Sequence, residues 1–73
     1  MERLTTYEKR IARAYGITAA DVHKDGANSY GVVYALYNPW YYTRLTFCGS
    51  YTRAQIYRAL LRRFINQLGI TAQ

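Results

Sequence analysis

Two groups of residues in this sequence have types suited to chemistry. The first is Cys48 with His23, the single cysteine and single histidine of the chain. A thiol beside an imidazole is a nucleophile beside its base, and Asp21 or Asp25 could orient the ring of His23. Nothing in the spacing brings the two together. The ordinary reading makes Cys48 a small apolar residue near a strand end and His23 a solvated loop residue, so no enzymatic activity is expected and no catalytic residue is assigned. The four carboxylates read as helix caps and loop charges, and Gly16, Gly26, Gly31, Gly49 and Gly69 are spaced as punctuation rather than as a phosphate-cradling loop. One His and one Cys cannot complete a four-ligand zinc cage or an internal disulfide, so neither metal nor cofactor is expected.

The second group is larger: nine tyrosines, Trp40 and a set of arginines. Bases stack on aromatic faces at about 1–3 kcal/mol each, and guanidinium groups fork onto phosphate, so rings and arginines sharing one surface would form a platform for single strands or loops. Tyr37, Trp40, Tyr41, Tyr42 and Arg44 cluster at one hairpin tip and are the first candidates. Arg53, Arg58, Arg62 and Arg63 on the last helix are the second, as phosphate contacts. The net charge of +6 is uneven along the chain. Glu2, Glu8, Asp21 and Asp25 all precede Gly26, so residues 26–73 hold five arginines and no acid, and no neighbour in sequence can neutralise them. Such a field favours a polyanion, either nucleic acid (DNA or RNA) or an acidic protein surface. The rival reading starts from the same residues, because Tyr, Trp and Arg are also enriched at protein-interface hot spots. It gives a protein-interaction module, such as a compact inhibitor of the kind phages encode, occupying an acidic or nucleic-acid-binding site on its partner.

These side chains need elements to position them. Thr5 and Glu8 have capping-box spacing, Tyr7, Ile11 and Ala14 or Tyr15 recur at helical steps, and Gly16 supplies a left-handed stop, which predicts a first helix over 6–15. Thr18 and Asp21 repeat the capping spacing over a short helical turn. Residues 23–29, with Asp25-Gly26, are expected to be a loop or tight hairpin turn, leaving room for a further strand near Val22. Residues 30–37 and 41–48 are rich in aromatic and β-branched types and predict two antiparallel strands joined at Asn38-Pro39-Trp40. Thr52 and Gln55 form another capping box, with Tyr51 expected to staple onto Ile56. A stripe of Ile56, Tyr57, Leu60, Leu61, Phe64, Ile65 and Leu68 then predicts a helix over 53–68, stopped by Gly69.

The expected fold is a small α+β domain spanning 1–73: helix, short helical turn, antiparallel hairpin with room for a third strand, and a C-terminal helix on one face of the sheet. Tyr30, Val32, Tyr34 and Leu36, with Leu45 and Phe47, are expected to face that helix. Val33, Ala35, Tyr37, Tyr42, Arg44 and Thr46 fall on the other face, a mostly uncharged surface to be covered by the first helix, by a second copy in a homodimer, or by a ligand. The chain lacks a run of roughly 18 apolar residues or a signal-peptide core, which points to a cytoplasmic protein with no membrane contact.

Three short likenesses bear on this reading. Arg10 to Val22 resembles the closing helix of repressor-type helix-turn-helix domains, which is not their DNA-reading element. Double-stranded-RNA-binding domains are similar in element order, but the basic cluster expected at the start of their second helix is replaced by Tyr51-Thr52-Arg53-Ala54-Gln55. Gly49 to Ala59 resembles the segment after the sheet in small domains that lay a hairpin in a DNA groove. No family is assigned from these. The leading expectation is a small basic nucleic-acid-binding protein, and five arginines on duplex phosphates would give a salt slope of about −4.5.

Overall fold

The computed structural model of the chain describes residues 4–38 and 41–68. Helix α1 (Thr6–Tyr15) leads through a 3₁₀ turn (Ala19–Asp21) into strands β1 (Val22–Asn28), β2 (Gly31–Asn38) and β3 (Tyr41–Phe47), and helix α2 (Arg53–Gln67) follows. The strands form one antiparallel sheet in the order β1-β2-β3. The fold is α+β, with α2 packed on the sheet.

Both helices start where their caps require. The Thr5 N–H donates to Glu8 Oε1 at 2.8 Å and the Glu8 N–H to Thr5 Oγ1 at 3.1 Å; Thr52 and Gln55 repeat the exchange at 2.9 and 3.1 Å. Gly16, at φ 69°, turns the chain out of α1, and the Ile17 N–H returns to the Ala12 carbonyl at 2.8 Å. Tyr51, expected on Ile56, sets its ring edge-on to Phe47 at 5.2 Å between centroids. The Gly69 stop and residues Pro39 and Trp40 of the β2–β3 turn lie outside the described residues.

The segment expected as a loop over 23–29 is strand. Asp25-Gly26 forms a bulge between Lys24 and Ala27, where the register shifts and Gly26 takes φ 98°, rather than a reversal of the chain. The reversal comes later, at Ser29-Tyr30, where the Tyr30 N–H donates to Asn28 Oδ1 at 2.8 Å. That turn also corrects the expected core: Tyr30 precedes the strand and is 78% exposed.

Alternation along β2 sends Leu36 toward the helices, where it meets Val22 and Phe47 from the flanking strands and Ile56, Leu60, Leu61, Phe64 and Ile65 from α2. Leu36, Leu60 and Leu61 are completely buried, each contributing about 1.5–3 kcal/mol of transfer free energy. Helix α1 packs against α2, adding Ala12 to the same core and Tyr15 edge-on to Phe64 at 5.3 Å. It therefore does not cover the other sheet face, as one expectation had it. The Tyr57 hydroxyl donates to the Ile17 carbonyl at 3.2 Å and ties α2 to the end of α1. Burial, with Asp21 nearby, pushes that phenol above its ordinary 10.0. Among the described residues no helix is long and apolar enough to cross a membrane.

Candidate functional site

The face of the sheet away from the helices receives the alternate residues of all three strands. Cross-strand partners share a face, so His23, Ala35 and Arg44 lie in one row, Val33 and Thr46 in the next, and Tyr37 and Tyr42 in a third. The rings of His23 and Tyr37 have centroids 4.6 Å apart, and those of Tyr37 and Tyr42 are 5.9 Å apart. Three rings thus step across three strands, and Tyr37 and Tyr42 are 41% and 52% exposed.

Beneath them the face is not bare. Val33 and Ala35 are buried although neither α1 nor α2 packs on them. Both are small or medium side chains on the central strand, and Ala35 pairs with His23 on one side and Arg44 on the other. Of the covers expected for this surface, the first helix lies instead against α2.

Charge on this face is loosely held. Arg44 approaches Asp25 at 4.0 Å, with the two side chains 55% and 44% exposed, and the Tyr42 hydroxyl donates to the same carboxylate at 3.4 Å. An ion pair this open contributes about 0–1 kcal/mol, so Arg44 can exchange the carboxylate for another anion at small cost. At the far end Asn28 Nδ2 donates to Thr46 Oγ1 at 3.3 Å. Of the five hairpin candidates, Tyr37, Tyr42 and Arg44 are brought together. Trp40 and the side chain of Tyr41 lie outside the described residues.

The arginines of α2 depart from expectation. An acid does reach them, from the other end of the chain: Arg62 Nε donates to Glu8 Oε2 at 2.6 Å, and Arg58 Nε lies 3.9 Å from Glu8 Oε1. Glu8 is buried between the helices. Burial pulls its carboxyl upward and is the largest single influence, yet the Thr5 N–H, Arg62 and Arg58 together outweigh it and hold the group below its ordinary 4.5. Arg53 donates to the carbonyls of Ala19 and Val22 at 3.0 and 3.3 Å, fastening the start of α2 to the 3₁₀ turn. Arg63 is exposed and has no ion-pair partner among the described residues. The four helix arginines and Arg44 do not form a single patch, because α2 and the ring-bearing face are on opposite sides of the sheet.

Three residues were missed by sequence reasoning in these roles. His23 and Asp25 belong to a strand with only Val22 buried, so no apolar alternation announces it. Glu8 is legible as a cap, but its second duty across the helix pair depends on tertiary packing. His23 and Cys48, considered as a reacting pair, are separated: His23 aligns with Arg44, four residues from Cys48 along the β3 direction, or about 13 Å. Among the described residues no three of His, Cys, Asp and Glu cluster as a metal site. Compared with known protein families, curated proteins and solved structures, the chain matches none.

Proposed function

We propose that the chain binds single-stranded nucleic acid, or the unpaired loop of a folded one, on the open face of its sheet. The observation that carries this reading is the run of rings His23, Tyr37 and Tyr42, with centroids 4.6 and 5.9 Å apart, on a face that neither α1 nor α2 covers. Unpaired bases can splay onto such rings, whereas bases within a duplex present only their edges. Arg44, released from Asp25, supplies a phosphate contact beside the rings. Stacking at about 1–3 kcal/mol per base then carries more of the affinity than charge does.

Salt dependence follows from that division. With Arg62 and Arg58 engaged by Glu8 and Arg53 on backbone carbonyls, few arginines remain for phosphate near the rings. At about −0.7 per phosphate on single strands, one to three contacts give a slope no steeper than about −2. Fluorescence titrations of the full chain with single- and double-stranded DNA and RNA of one length, repeated across salt concentrations, test the proposal. The expected result is a preference for unpaired strands with this shallow slope. Absence of binding to all four at low salt would reject it.

The protein-interaction reading is favoured by one observation, the Asp25 carboxylate among the rings, which repels phosphate but suits a mixed-charge protein surface. In the same titrations that reading predicts no retention of nucleic acid.

A further inference from the structure

The open face carries a carboxylate among its rings, Asp25, which a surface built only for phosphate would not need. Asp25 belongs to β1, and Tyr42 and Arg44 belong to β3, with β2 between them. Two strands flanking a third lie about 9–10 Å apart. The Tyr42 hydroxyl nonetheless donates to Asp25 Oδ2 at 3.4 Å, and Arg44 approaches the same oxygen at 4.0 Å, so side chains from both edges of the sheet reach over β2 to meet. Asp25 and Gly26 have no partner in the β1–β2 register, and Gly26 takes φ 98°. Such a bulge re-aims a side chain out of the regular alternation.

Both interactions fall on Oδ2. Oδ1 makes none among the described residues, and the side chains of Asp25 and Arg44 are 44% and 55% exposed. An ionised carboxylate is an acceptor with two oxygens and no donor, so it discriminates by the donors a stacked base can offer. On their Watson–Crick edges adenine and cytosine each set one amino donor beside a ring-nitrogen acceptor, and thymine and uracil set one N–H between two carbonyl oxygens. Guanine alone sets two donors side by side, N1–H and the 2-amino group. The third group of that edge, O6, is an acceptor of the kind a guanidinium takes.

We propose that Asp25 selects the base on the ring platform and that the base it selects is an unpaired guanine. This rests on the reading that the open face binds single strands. A guanine stacked on Tyr42 turns N1–H and its amino group to the Asp25 carboxylate, with O6 toward Arg44. The carboxylate exchanges an open ion pair for two charge-assisted hydrogen bonds, and Arg44 is released to O6 or to the adjoining phosphate. Every other base sets an acceptor against the carboxylate, so the same group that favours guanine also rejects its competitors.

The test uses the full chain and short dT strands with one varied central base, no longer than the three rings can span, so that this base stays on the platform. Fluorescence titrations compare guanine, adenine, cytosine, thymine, inosine and 7-deazaguanine at that position. Guanine is expected to bind about tenfold or more tightly than adenine, cytosine or thymine, the effect of one bidentate contact, and adenine controls for the stronger stacking of a purine. Inosine lacks the amino group and should bind about fivefold or more weakly than guanine, whereas 7-deazaguanine lacks N7 and should bind as guanine does. Asp25→Asn replaces one acceptor by a donor. It should bring guanine within about twofold of thymine without weakening thymine, in a chain whose fold is checked by circular dichroism.

Equal binding of all bases would overturn the selection and leave the rings as a platform. A guanine preference that survives Asp25→Asn in a folded chain, or that follows N7 rather than the amino group, would overturn it by assigning the recognition to another group. The inosine and 7-deazaguanine comparisons are made on the native chain and decide the question without the variant. No binding of any strand would overturn the ring reading and this inference with it.

Discussion

Leu36 and Ala35 are adjacent in β2 and equally buried, for different reasons. Leu36 points into the layer of two helices and is enclosed by Leu60, Leu61 and their neighbours. Ala35 points the other way, into the row it shares with His23 and Arg44, on the face that neither α1 nor α2 covers. The first face is closed by tertiary packing, and its residues determine whether the chain folds. The second lies outside that core, so the rings on it contribute little to folding.

Substitutions on the two faces should separate accordingly. The largest effect is expected from Leu60→Ala on the helix face: about 2–5 kcal/mol, comparable with the roughly 3–5 kcal/mol that a core of this size supplies. Urea denaturation followed by circular dichroism should show that variant largely unfolded, and a native-like midpoint would contradict the assignment of the core. Gly31→Ala should follow at about 1–3 kcal/mol. Its φ is 153°, and an added Cβ would fall 2.3 Å from the Phe47 carbonyl oxygen, so β2 and β3 would have to part.

Glu8→Gln tests the bond between the helices. It removes a charge that two arginines and a backbone N–H stabilise, and should cost about 1–2 kcal/mol at pH 7. The folded pKa of Glu8 lies below the unfolded one, so its contribution is present above the unfolded value near 4.5 and lost as pH falls through the folded value. Melting temperatures from pH 7 to 2.5 should therefore drop more steeply in the native chain than in Glu8→Gln. Parallel curves would remove the carboxylate from the account. Smallest in stability are the open-face changes: Tyr37→Ala or Tyr42→Ala should lower it by about 0.5–1 kcal/mol, the size of a cross-strand aromatic pair.

Much of this architecture was legible in the sequence. The capping boxes at Thr5 and Thr52 locate both helices because each is a local exchange of hydrogen bonds, and alternation through Val33, Ala35 and Tyr37 identifies the residues of the open face. β1 was less legible, since Val22 alone is buried and the Asp25-Gly26 bulge has the composition of a turn. The state of the arginines was not legible at all. Acids and bases are segregated along the chain, but α1 folds against α2 and carries Glu8 to Arg62, 54 residues away. Charge segregation in sequence therefore did not become charge segregation in space, and the candidate binding surface moved from the last helix to the sheet.

The most direct test compares the native chain with Tyr37→Ala/Tyr42→Ala in binding to an unpaired 5′-hydroxyl oligonucleotide at moderate salt, with folding checked by circular dichroism. The account predicts a folded double variant whose affinity falls by more than about tenfold, the equivalent of 1.4 kcal/mol or more of lost stacking. Unchanged affinity in a folded double variant would contradict the claim that these rings form the binding surface.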